Sequence, residues 1–251
     1  MHRLVLRSLA IILGILACVP LHYGWRLFGR RSLWPRRFLW WVGYAAGVRT
    51  RISGTPRPAH VLFAGNHLSW LDIMVLAGAS GTAFVSKAEV GRTPVIGWLA
   101  NLNNTVYVER GDRGAAANQA AALRAALATG QPVALFPEGG TDGGAETLPF
   151  RASLFAALIP PLPGVMLQSV ALDYGPAAAE IAWTGDEPAL ANVKRVLSRR
   201  GTLPVTLHFA PPIDPAGVQD RKAMANAARS QVVAALEASA PASSASRADR
   251  L

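Results

Sequence analysis

The chain has 251 residues, 51% of them hydrophobic and 16% charged, with a formal net charge of +10 and one cysteine. That balance is apolar for a soluble protein and too polar for a multi-span transporter; the length suits one large domain, or a domain with an appendage. Cys18 alone excludes an intrachain disulfide and a cysteine metal cluster, and the five histidines lack metal-ligand spacing.

The charge is unevenly placed. No acidic residue precedes Asp72, while Arg3, Arg7, Arg26, Arg30, Arg31, Arg36, Arg37, Arg49, Arg51 and Arg57 do. Those ten equal the whole net charge, and the remaining fifteen basic residues match the fifteen acidic ones. Such a segment suits nucleic acid or an anionic membrane surface. Trp25, Trp34, Trp40 and Trp41 stand among the arginines, the pairing found at bilayer interfaces. Residues 9–21 and 38–48 are too apolar for a single-stranded nucleic-acid surface, so membrane is expected and nucleic acid is not.

Residues 1–24 share the basic start and apolar run of an export signal, and residues 15–18 resemble a lipoprotein cleavage site. Eight arginines follow before residue 58, which holds that side in the cytoplasm. An uncleaved anchor in the inner membrane is expected, with the rest of the chain on the cytoplasmic side. Residues 9–21 fall short of the ~20 apolar residues of a straight span. The two short runs therefore predict a helical hairpin dipping into one leaflet, with a single span for the first run as the alternative.

From residue 49 the pattern changes to alternating strands and helices. Strands are expected at 60–64, 82–86, 105–108, 132–136, 165–174, 180–183 and 205–209. Helices are expected from the turn after residue 64 to about 79, and at 95–102, 115–129, 153–158, 192–200 and 221–238. This predicts an α/β fold, a mostly parallel sheet flanked by helices. The expected division is a membrane-anchoring segment at 1–48, an α/β domain at 49–238 and a disordered tail at 239–251.

Gly65-Asn66-His67-Leu68-Ser69-Trp70-Leu71-Asp72 lies between two apolar runs and reads as strand, tight turn and helix. A histidine held by a carboxylate presents one neutral ring nitrogen as a general base. The competing reading is a capping box, with Ser69 as N-cap and Asp72 three residues on. His67, Lys87, Arg110 and Glu138-Gly139 each follow a predicted strand, and parallel strands would gather them at one sheet edge. Arg110 and the Glu138-Gly139-Gly140 turn could bind an anion such as phosphate; alone, Arg110 could equally be a surface charge paired with Glu109 or Asp112. No Gly-x-Ser-x-Gly elbow, P-loop or dinucleotide fingerprint is present.

Four ordered motifs give the chain a resemblance to the glycerolipid acyltransferase family, which includes lysophosphatidate acyltransferases. They are Asn66-His67-x4-Asp72, Val106-Tyr107-Val108-Glu109-Arg110, Phe136-Pro137-Glu138-Gly139, and residues 165–170 in the place of the fourth. The resemblance covers roughly residues 50–210. It implies that His67, oriented by Asp72, deprotonates the free hydroxyl of a lysolipid, which attacks an acyl thioester carried by acyl carrier protein or coenzyme A. It further implies that Arg110, with Glu138 and Gly139, holds the polar head, with Lys87 assisting the head or the oxyanion. No cofactor beyond the thioester co-substrate is implied.

Two departures bear on the acceptor. Gly140-Thr141-Asp142 stands where the third motif usually continues with Thr or Ser and often Arg, and Ser169 replaces a usual proline. The default acceptor is 1-acyl-glycerol-3-phosphate, giving phosphatidate. Lyso-ornithine lipid is the alternative, since a zwitterionic head tolerates Asp142 better. The reading of a different class is a non-catalytic membrane-surface lipid-binding protein.

Overall fold

Two helices precede the sheet: α1 over His2–Leu27 and α2 over Trp34–Ala45. The computed structural model describes residues 2–30, 32–108, 113–141, 143, 146–185 and 187–240. α1 does not stop at the edges of the apolar run. Good helix formers on both sides extend it to 26 residues, about 39 Å. It is long and apolar enough to cross a membrane, and only 11% of its most apolar window is buried. α2 opens with Pro35 in its first turn, where the missing N–H costs nothing. It buries Phe38, Val42 and Gly43.

Seven strands follow among the described residues: β1 (Val48–Ser53), β2 (Val61–Gly65), β3 (Ala83–Lys87), β4 (Val106–Val108), β5 (Val133–Leu135), β6 (Met166–Asp173) and β7 (Leu203–Phe209). The connecting helices are α3 (Leu71–Ser80), α4 (Ala88–Gly91), α5 (Pro94–Leu102), α6 (Arg113–Ala128), α7 (Ala178–Ile181), α8 (Ala189–Ser198) and α9 (Arg221–Ser239). The sheet order is β1-β7-β6-β2-β5-β3-β4. β6, β2, β5, β3 and β4 are mutually parallel; β7 runs antiparallel to β6, and β1 lies parallel to β7.

Alternating side chains build a core on each face. Phe63, Val170, Leu172 and Leu207 pack with Leu71 and Leu76 of α3. Leu62, Ala64 and Leu167 pack on the other side with Leu123 and Leu127 of α6 and Met224 and Val232 of α9. α2 joins the first layer. A Cβ on Gly78 would lie 2.8 Å from Trp40 Cα, so the two helices cross at this glycine. Arg36 donates to Gly78 O and Ala79 O at 3.0 and 2.5 Å, satisfying carbonyls at the end of α3.

Three local expectations are corrected. Residues 180–183 are not a strand: Gly175-Pro176 turns the chain at the end of β6, and the following alanines favour the short helix α7, which buries Ile181. β1 was not expected. It is an edge strand whose outward Arg49 and Arg51 hide its strand character behind charge, a usual defence of a sheet edge. Ser69 is not the N-cap of α3; Trp70 holds that position, with no side-chain cap. At the C-terminus α9 runs through Ser239, and residues 241–251 lie outside the described ones.

The topology decides where chemistry can gather. Gly65, Lys87, Val108, Leu135 and Asp173 end the five parallel strands on one edge of the sheet. Loops beyond the carboxyl ends of parallel strands are where such folds bind ligands.

Candidate active site

β2 is buried at every position and stops against β6. Gly65 permits the close approach: a Cβ there would lie 2.7 Å from Val170 O. Asn66 then carries the pairing one step further with its side chain. Its Nδ2 donates to Leu172 O at 3.1 Å, and Leu172 N donates to its Oδ1 at 2.8 Å. The chain leaves the sheet at His67 in a fixed register with β6.

Asp72, in the first turn of α3 and fully buried, closes the turn. Its Oδ2 accepts from Leu68 N at 2.6 Å and Ser69 N at 2.8 Å. The carboxylate thus does the work assigned to a capping serine, at a helix end that favours negative charge. The same Oδ2 lies 2.8 Å from His67 Nδ1, and its Oδ1 accepts from the Tyr174 hydroxyl at 2.7 Å. With Nδ1 committed to the carboxylate, Nε2 is the ring nitrogen left to take a proton.

His67 is held at two further points. Its ring stacks on Phe136, centroids 4.0 Å apart and planes 5° from parallel, and Phe136 in turn stacks on Phe84. Its backbone N–H donates to Glu138 Oε2 at 3.0 Å, while Glu138 Oε1 accepts from Leu148 N at 3.1 Å. Glu138 therefore ties the His67 turn to the far end of the loop after β5. Burial pushes its carboxyl up to about 7, against the pull of those two N–H groups.

This shift has a thermal signature. Glu138 binds its proton more tightly in the folded chain than in the unfolded one, so stability is greatest below about pH 4.5 for this group and falls as pH rises toward 7. The loss is on the order of 3 kcal/mol. Glu138→Gln, which keeps an acceptor but cannot ionise, is expected to flatten the fall in melting temperature between those pH values. A slope unchanged from the parent protein would contradict it.

The structure brings together His67, Asp72, Glu138 and Gly139. Gly139 has φ +81°, a left-handed conformation that favours glycine, and its Cα faces the guanidinium end of Arg151; Gly140 is exposed, with open space around it. Lys87 ends β3 on the same edge, but its side chain lies outside the described residues, as do the whole of Arg110 and Asp142. Tyr174 and the stacking of Phe136 were not foreseen. The spacing Val170, Leu172, Tyr174 marks the tyrosine as core, but nothing in it reveals a hydroxyl bonded to Asp72.

His67 opens onto a cleft of about 610 Å³ between Glu138, residues 146–147, the end of β6 and α9. Among the described residues its charged lining is Glu138, Glu146, Asp173, Glu237 and Arg229. Arg229 donates to Thr147 O at 2.7 Å and to Leu148 O at 3.1 Å, which ties one side of its guanidinium to residues 147 and 148.

A family model described as acyltransferase matches residues 49–172. The chain is 32% identical over 255 residues to the lyso-ornithine lipid O-acyltransferase of Brucella abortus, covering 94% of each chain. It is 37% identical over 124 residues to the 1-acyl-sn-glycerol-3-phosphate acyltransferase of Neisseria gonorrhoeae, covering 48% of each. The fold is shared with the 1-acyl-sn-glycerophosphate acyltransferase PlsC of Thermotoga maritima, at a TM-score of 0.58 and 20% identity over 92% of this chain and 97% of the other.

Proposed function

The chain belongs to the acyltransferase family, and from that premise we propose that it acylates the free hydroxyl of a lyso-ornithine lipid at a membrane surface. His67 Nε2 takes the acceptor's hydroxyl proton as the oxygen attacks the thioester carbonyl. Asp72 stabilises the imidazolium so formed. Collapse of the tetrahedral intermediate breaks the C–S bond, and the leaving thiolate recovers the proton from His67. Acyl carrier protein or coenzyme A would supply the acyl group; an acidic carrier suits the basic surface.

The observation that carries the acceptor is the extent of similarity. The relative named for lyso-ornithine lipid aligns over 94% of both chains, while the one named for 1-acyl-sn-glycerol-3-phosphate aligns over 48%. Among the described residues the cleft's chemistry is in keeping: Glu138, Glu146, Asp173 and Glu237 line it with Arg229, a balance that suits a head with an ammonium better than a doubly charged phosphate monoester. The 37% identity over the shorter match favours 1-acyl-glycerol-3-phosphate as the second reading. In that case Arg110 would hold the phosphate.

For membrane attachment, α1 is fastened to the domain along its length. Arg7 donates to Val196 O, Leu197 O and Gly201 O, Trp41 Nε1 to Ala10 O at 2.8 Å, and Trp98 Nε1 to Tyr23 Oη at 3.3 Å. Leu6, Leu9, Leu13 and Leu16 remain exposed. A helix tied down near both ends suits an anchor lying in one leaflet, here the cytoplasmic leaflet of the inner membrane.

The test offers purified protein a labelled acyl thioester with lyso-ornithine lipid and lysophosphatidate in parallel micelles. Label is expected in ornithine lipid, at least tenfold over phosphatidate. Label in phosphatidate alone would overturn the proposed acceptor and establish the second reading.

A further inference from the structure

The alternation of β6 sends Val170, Leu172 and Tyr174 toward α3. Asn66 locks Leu172 to the His67 turn from both its N–H and its C=O. Two residues later, Tyr174 is delivered to Asp72 with no freedom of register. The residue is 2% exposed, and its hydroxyl meets Asp72 Oδ1 at 2.7 Å. Asp72 Oδ2 already receives three donors, from Leu68, Ser69 and His67. Tyr174 is the one donor to Oδ1 among the described residues.

We propose that Tyr174 is a positioning residue for the His67–Asp72 pair: its hydroxyl fixes the rotation of the carboxylate and sets how strongly it holds the imidazolium. A carboxylate can swing about its Cβ–Cγ bond, and a hydrogen bond to each oxygen stops it. A donor on Oδ1 also draws negative charge away from Oδ2, weakening the grip on the His67 proton. The hydroxyl keeps its own proton throughout. Burial, followed by the adjacent Asp72 charge, pushes it well above the usual tyrosine range. The titratable groups facing Asp72 among the described residues are His67 on the turn, Tyr174 after β6 and Glu138 after β5. Glu138 acts at a distance, since its oxygens are taken by His67 N and Leu148 N.

Tyr174→Phe removes the hydroxyl and leaves the ring in place. Its expected effects are a fall in kcat of roughly 10- to 50-fold with KM for both substrates unchanged, and an acid limb of kcat/KM raised by about half to one pH unit. Loss of the donor strengthens the carboxylate's hold on the imidazolium, so higher pH is needed to free the base. The His67 ring titration followed by NMR in micelles should move the same way, and that readout does not depend on which lysolipid is accepted. Incorporation of 3-fluorotyrosine at position 174 supplies a stronger donor of nearly the same shape and should move both readouts downward. It also decides the matter should Tyr174→Phe fail to fold. Opposite shifts for the two substitutions support the proposal. An acid limb and ring titration that stay at the parent values, even with lower activity and melting temperature, would reduce the hydroxyl to a structural contact and overturn it.

Discussion

Replacing His67 by alanine is expected to lower acyl transfer by about 10²- to 10⁴-fold, the range spanned by loss of a positioned general base, without weakening membrane binding. The separation follows from where the parts lie. His67 stands beyond β2 at the carboxyl edge of the sheet, while the exposed apolar face belongs to α1. The points that fasten α1, at Arg7, Trp41 and Trp98, touch neither His67 nor its partners. Transfer would be followed with labelled thioester and binding by flotation with anionic vesicles. Binding lost together with activity would mean the turn and the anchor are coupled. Transfer near the parent rate would place the base elsewhere. The fold should survive, because His67 is partly exposed and its backbone N–H, which Glu138 uses, is retained by alanine.

The site was legible where one short segment carries both partners. His67 and Asp72 are five residues apart, and the hydrogen bond between them spans a single turn that strand and helix propensities on either side imply. Glu138 was legible as a residue after a strand, but not its bond to His67 N, which depends on β2 and β5 being neighbours in the sheet. Tyr174 is the extreme case: 102 residues separate it from Asp72, and its placement rests on the β2–β6 register that Asn66 extends. Local pattern misled where chain direction changes over a few residues, as at Gly175-Pro176, and where charge masks a strand, as at Arg49 and Arg51. The reversal of β7 against β6 reflects a connection through α7 and α8 that re-enters the sheet beside the end of β6, without a crossover, and periodicity does not report it.

Asp72→Asn should separate chemistry from architecture more sharply than any change at His67. Four donors converge on the carboxylate: His67 Nδ1, Leu68 N, Ser69 N and the Tyr174 hydroxyl. An asparagine can present its oxygen to the first three and its amide to Tyr174, whose hydroxyl oxygen accepts as readily as the group donates. The turn then closes as before, and only the charge is gone. Without it the imidazolium formed during transfer has no counter-ion, and the expected loss in kcat is about 10³- to 10⁴-fold with KM little altered. Asp72→Ala should lose the same activity and stability besides. It strips the acceptors from Leu68 N and Ser69 N, and each buried donor left unpaired costs about 1–3 kcal/mol. Kinetics and thermal unfolding of the two variants side by side carry the test: equal activity losses with unequal melting temperatures are expected. An asparagine variant that transfers acyl groups at close to the parent rate would mean that Asp72 only closes the turn, and that the neutral imidazole needs no charged partner.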